Sequence, residues 1–194
     1  MKLIPAIVIL STAFSCAAEK NHESIKQEIR QAIVRGNSWL KSQQKPEGYW
    51  DIDGTPAFTS LALTAAVQDP SLDKNAKFPE HIEKGFNWLV TQQKPDGGIY
   101  NNGLSVYNTA TAVTAMVAAK REAYEPAIVK GRKHLIDNQW DIDKKKEADN
   151  PNDGGVGYGS KKDRADMSNT YLAIESLALS KKSSTMGNTA INPT

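Results

Sequence analysis

Cysteine is nearly absent. Cys16 is the single one in 194 residues, so no intramolecular disulfide can form and the redox compartment cannot be read from pairing. An excess of one charge sign is lacking too. Lys and Arg total 24 against 22 Asp and Glu, a net charge of +2, which argues against an extended nucleic-acid surface. The three histidines, His22, His81 and His134, fall on different predicted helices, and none belongs to a ligand-spaced pair, so a zinc site is not expected. No Gly-x-Ser-x-Gly elbow and no phosphate loop occur. No stretch alternates apolar and polar residues for long enough to predict a strand. The remaining composition is that of a globular protein, 39% hydrophobic and 24% charged, and the length fits one domain.

The N-terminus stands apart. Met1-Lys2 supplies a small positive start, LIPAIVILSTAF an apolar run ending at Phe14, and Ser15-Cys16-Ala17-Ala18 small residues before a polar stretch. This is the layout of a secretory signal over residues 1–18, too short to span a bilayer stably. Two fates are open. Cys16 sits where bacterial lipoproteins carry their lipid-attachment cysteine, which would tether the protein to a membrane, although Ala13-Phe14-Ser15 departs from the usual preceding residues. Alternatively, ordinary cleavage falls near Ala17 or Ala18. Either fate predicts an exported protein, periplasmic or secreted.

What the chain does have is a repeat. Arg35 to Trp50 reads RGNSWLKSQQKPEGYW, and Lys84 to Tyr100 reads KGFNWLVTQQKPDGGIY, starting 49 residues later. The register is expected to continue without a gap, since AFTSLALTAAV from Ala57 lies 49 residues before VYNTATAVTAM from Val106. A looser third copy runs KGRKHLIDNQW from Lys130, GGVGY from Gly154 and DMSNTYLAIESLAL from Asp166. Self-similarity at this period signals a repeat architecture. Each copy reads as two helices around a Gly-rich turn. Ile25, Ile29, Ile33, Gly36 and Leu40 make an apolar stripe; Lys45-Pro-Glu-Gly48 stops that helix; Thr55-Pro56 opens the next. Copies two and three repeat the plan with helices from Pro79, Asn108, Pro126 and about Ser168. The prediction is an all-α domain of three antiparallel helix pairs over residues 22–180. A polar tail over 181–194 is expected to be disordered or a connector. If the first helices pack, Trp39 and Trp88 are core aromatics.

The pattern [Lys/Arg]-Gly-x-x-Trp-Leu-x-x-Gln-Gln-x-x-x-Gly-x-[Trp/Tyr] resembles the Gln-Trp repeat of the squalene–hopene cyclase family, whose wider group includes prenyltransferase β-subunits and complement thioester domains. The resemblance covers about Ile25 to Leu179. It implies a partial α/α toroid, with outer helices ringed around inner helices that line a central cavity. One Gln of each pair (43 or 44, 92 or 93), and Gln139 in copy three, would bond free backbone groups of the adjoining helix. Trp50, Tyr100 and Tyr158 would be the aromatic partners.

The chemistry that the resemblance brings does not find its residues. Cyclases of this family begin with an Asp-x-Asp-Asp-Thr-Ala acid, a carboxylic acid held protonated beside an apolar pocket. The matching places hold Phe58-Thr59-Ser60, then Ser105-Val-Tyr107-Asn108-Thr109-Ala110, then Asp166-Met-Ser168-Asn169-Thr170-Tyr171, which keep at most the first Asp. The Asn-Thr pairs read either as caps of the inner helices or as a polar rim. Prenyltransferase zinc ligands and the thioester Cys-Gly-Glu-Gln are missing. Asp141, Asp143, Asp149, Asn150, Asn152 and Asp153 collect oxygens that suit Ca²⁺, but no EF-hand spacing is present and Lys144-Lys145-Lys146 would repel a cation, so a charge-balanced insertion is expected. Neither metal nor cofactor is predicted. The expected function is a non-catalytic binding or interaction module, its pocket rim formed by Tyr107, Asn108, Asp166, Ser168 and Asn169. Its partners would be a second protein or another copy docked on the open repeat edges, or an apolar, isoprenoid ligand. The alternative is a terpene cyclase-like enzyme, or a fragment of one, whose catalytic acid lies elsewhere.

Overall fold

The structure is a computed structural model that describes residues 5–51, 53–140, 152–159 and 164–181. The side chains of residues 5–21, Cys16 among them, lie outside the described set. So do most of the acidic loop, residues 141–151, and the tail over 182–194. The protein is all-α, 63% helical with six helices and no strand among the described residues. The helices are α1 (Pro5–Gln43), α2 (Pro56–Val67), α3 (Glu80–Thr91), α4 (Ser105–Ala119), α5 (Glu125–Asp137) and α6 (Met167–Ser180). No described helix is long and apolar enough to cross a membrane.

The chain divides into two units, Met1–Ser42 and Gln43–Thr194. The first is essentially α1. Of its apolar stripe Ile25, Ile29 and Gly36 are exposed and Ile33 and Leu40 half-buried, and Trp39 is 62% exposed. Trp39 is therefore not a core aromatic.

In the second unit α4 lies between α2 and α6, with α3 packed on α2 and α5 packed on α4 and α6. α2 and α4 are rich in Ala and Thr and hold no charged residue, so their backbones approach closely. One core cluster joins Val106 and Ala110 of α4, Leu135 of α5, Val156, and Ala173 and Leu177 of α6. Glycine makes the tightest crossings. A Cβ on Gly85 of α3 would stand 2.8 Å from Leu63 Cδ2 of α2, and one on Gly131 of α5 would stand 2.7 Å from Val113 Cγ2 of α4. On α1, the matching Gly36 has nothing within 4 Å of that point. Near the α3–α5 junction, Phe86 stacks between Phe78 and Tyr124 at centroid distances of 6.3 and 4.8 Å.

The three turns are made the same way. Gly48, Gly97 and Gly154 take φ of 111°, 88° and 75°, left-handed values that glycine reaches without a Cβ clash. Their amides donate to the carbonyls of Lys45, Lys94 and Trp140, each at 2.9 Å. The amides of Lys45, Lys94 and Trp140 donate in turn to Tyr49, Gly98 and Gly155 at 2.8–2.9 Å. The expected gapless register needs one correction. The amides of Trp50, Ile99 and Val156 donate to the hydroxyls of Thr59, Thr109 and Thr170 at 3.1, 2.8 and 3.1 Å. Trp50 thus corresponds to Ile99, not to Tyr100, and Thr59 to Thr109, fifty residues on. The extra residue falls between Gly103 and Thr109, where Leu104 takes a left-handed φ of 49°.

Candidate functional site

The Gln residues show which of each pair acts. Gln44 Nε2 donates to the carbonyls of Gly48 at 2.9 Å and His81 at 2.8 Å. Gln93 Nε2 donates to Gly97 and Ala127, both at 3.0 Å. Gln139 Nε2 donates to Gly154 at 2.8 Å. The Gln44 carboxamide thus ties its own turn to the start of α3, and the Gln93 carboxamide ties its turn to the start of α5. Trp50 is buried against the α3 glycine, its Cζ3 3.0 Å from where a Gly85 Cβ would be. Trp88 is half-buried and tilts on Tyr49 at 5.1 Å.

The five expected rim residues divide into two groups. Asn108 is 1% exposed and faces inward: its Oδ1 accepts the Ala57 amide at 2.9 Å, and its Nδ2 donates to the Gly103 carbonyl at 3.1 Å. It therefore caps α2, the neighbouring helix, rather than its own. Tyr107 beside it is half-buried. Asp166, Ser168 and Asn169 form one cluster at the start of α6. Asp166 Oδ1 accepts the Asn169 amide at 3.0 Å and the Ser168 hydroxyl at 2.6 Å, while Oδ2 accepts Asn169 Nδ2 at 2.7 Å. Partial burial works against the charged form of Asp166, but these bonds outweigh it and hold the carboxyl below the usual Asp range. Such a group is an N-cap anion, the opposite of the protonated acid that alkene or epoxide activation requires. Asn169 is buried too, with Oδ1 lacking a hydrogen-bond partner.

One constellation escaped the sequence. His134, 5% exposed, lies with Nδ1 3.5 Å from Asp96 Oδ2 and Nε2 3.3 Å from Ser105 Oγ. This is the order of a Ser–His–Asp relay. Its details point to structure instead. The Ser105 hydroxyl donates to the Gly159 carbonyl at 2.9 Å, so its proton is directed away from the imidazole, and the buried Oγ offers no approach for an acyl carbon. Burial lowers the His134 imidazole pKa, and it outweighs the nearby Asp96 carboxylate, which raises it. Asp96, opposed by its own desolvation, is kept low by the Tyr100 hydroxyl at 2.8 Å, the Gly98 amide and His134. The trio pins the second turn to α4 and α5. The only sequence signal was that His134 stands where the other copies have Trp39 and Trp88.

Arg132, also buried, donates to the Leu177 carbonyl at 2.6 Å and to the Ser180 hydroxyl. The C-terminal end of α6 thus partners its charge. No described group of three or more His, Cys, Asp or Glu is placed to hold a metal ion. A solvent-open groove of about 490 Å³ runs beside Glu47, Glu80, Glu83 and Trp88. No protein-family model matches this chain, and no curated protein matches it.

Proposed function

We propose that this chain is an exported, non-catalytic repeat module of the α/α-toroid type. It is related to the Gln-Trp repeats of squalene–hopene cyclases and prenyltransferase β-subunits, and its inner helices α2, α4 and α6 offer a concave face to an apolar, isoprenoid ligand or a protein partner. The observation that carries the reading is the nature of those helices. α2 and α4 hold no charged side chain and α6 holds only Glu175. Yet Phe58, Leu61, Tyr171, Ile174 and Leu179 on them are exposed. Uncharged helices that keep large apolar side chains in water mark surfaces that bind, and Phe58, Leu61, Tyr171 and Ile174 lie at the open repeat edges where a protein partner would dock. The recurring Gln-to-turn bonds support the repeat type. The Asp166 carboxylate, held ionised at the place of the cyclase acid, supports binding without turnover. Export and a Cys16 tether rest on the layout of residues 1–18.

The test is a titration of the full chain with squalene, followed by intrinsic fluorescence, with product analysis by mass spectrometry. Saturable binding with squalene recovered unchanged is expected, and Tyr107→Ala should weaken it about tenfold, as about 1.4 kcal/mol of lost contact would. Cyclised product, or no binding at all, contradicts the ligand reading.

A further inference from the structure

The threonine bonds that fix the register also expose two unfinished faces. Counting from Thr59, Thr109 and Thr170, the α4 residues Val106, Ala110 and Val113 correspond to Met167, Tyr171 and Ile174 of α6. On α4 these three are buried, and Val106 and Ala110 share a core cluster with Ala173 and Leu177 of α6. On α6 the same positions are 88%, 64% and 54% exposed. The mirror situation holds on the other side. Asn108, Thr111 and Ala115 of α4 are buried, and Asn108 bonds α2 through the Ala57 amide. Their α2 counterparts Phe58, Leu61 and Ala65 are exposed. So α4 carries both halves of a helix contact that recurs inside the molecule, while α6 displays one half and α2 the other. Neither displayed half carries a charge, and a large uncharged apolar patch on a folded surface marks a docking site.

We propose that these halves meet between molecules: the α6 face of one copy receives the α2 face of a second copy, head to tail, in the register that α4 uses for α6 within the chain. The proposal rests on the module reading above and names its protein partner as this same chain. The internal α2–α4 and α4–α6 contacts are the template: α6 buries Asn169 and Ser176 and half-buries Leu172 where α4 buries Asn108, Ala115 and Thr111, and a second copy presents the uncovered α2 counterparts Phe58, Ala65 and Leu61. A heterologous contact of this kind closes into a ring if the rotation permits, and otherwise propagates as a chain.

The test is the solution mass of the full chain by light scattering over rising concentration, with Ile174→Glu on the α6 face and Leu61→Glu on the α2 face. The wild type is expected to exceed the monomer mass. Each variant alone is expected to fall to the monomer, with unchanged helical circular dichroism. An equimolar mixture of the two is expected to rise to the mass of a dimer, because each variant keeps the half that the other lacks. Tyr171→Glu and Ala65→Glu replace either variant that fails to fold. A monomeric wild type overturns the proposal. So does a Leu61→Glu variant that associates as well as wild type, or a mixture that stays monomeric, since either would mean a contact of α6 with α6 or one elsewhere. A monomer that still binds squalene removes this inference alone and leaves the module reading in place. An associating chain that ignores squalene removes the apolar-ligand reading alone.

Discussion

Gly131→Ala, combined with Val113→Ala in a double-mutant cycle, measures the closeness of helix packing in the repeat. The new Cβ would lie 2.7 Å from Val113 Cγ2 and 3.4 Å from Thr109 Cγ2. Val113 is fully buried, and its branched Cβ leaves it one comfortable rotamer in a helix, so it cannot swing aside. Overpacking of this kind costs about 1–3 kcal/mol, while Ala is worth about 1 kcal/mol more than Gly in a helix interior. The single variant should therefore lose about 1 kcal/mol. With Val113 already truncated the clash disappears and only the helix preference remains, so the same change should become neutral or stabilising. The expected coupling is about 1–2 kcal/mol, read from urea midpoints at constant slope. Additivity within about 0.5 kcal/mol would refute the reasoning, because it would mean that these helices do not touch through Gly131. Gly36→Ala, with no atom in the way, should instead raise the helicity of α1.

Two further outcomes follow from burial. Trp50→Ala should destabilise by about 3–5 kcal/mol, whereas Trp39→Ala should stay within about 0.5 kcal/mol; comparable losses in urea unfolding would contradict the exposure of Trp39. His134 gives a pH dependence. Its folded pKa lies below the ordinary value of 6.5, so the unfolded chain binds more protons in the interval between the two values. Stability should therefore be fully present above about pH 6.5 and fall as pH drops from there toward the folded pKa. His134→Asn should flatten that slope, and an unchanged slope would assign it to other groups.

Much of the helical plan was legible because punctuation is local. Pro56 and Pro126 fit a first turn, and Gly48 and Gly97 supply the left-handed residues, so helix ends follow from single positions. The one-residue slip at Leu104 was not legible. Both registers place small residues on the same helix, and only the Thr109 bond to the Ile99 amide chooses between them. Nor could the sequence tell that Asn108 reaches across to cap α2, because a cap on a neighbouring helix has no signature in spacing. The Asp96–His134–Ser105 cluster is brought together by three separate elements, and no motif announces it.

Carboxamides fasten all three turns and, at Gln44 and Gln93, tie them to the next helix as well, and the series Gln44→Ala, Gln93→Ala and Gln139→Ala, measured by equilibrium urea unfolding, tests this most directly. The Gln44 and Gln93 side chains each make two donor contacts and Gln139 makes one. At about 0.5–1.5 kcal/mol per bond, the first two variants should lose about 1–3 kcal/mol and the third about half as much. Losses under about 0.3 kcal/mol in all three, or the largest loss at Gln139, would contradict a fold held by carboxamide-fastened turns.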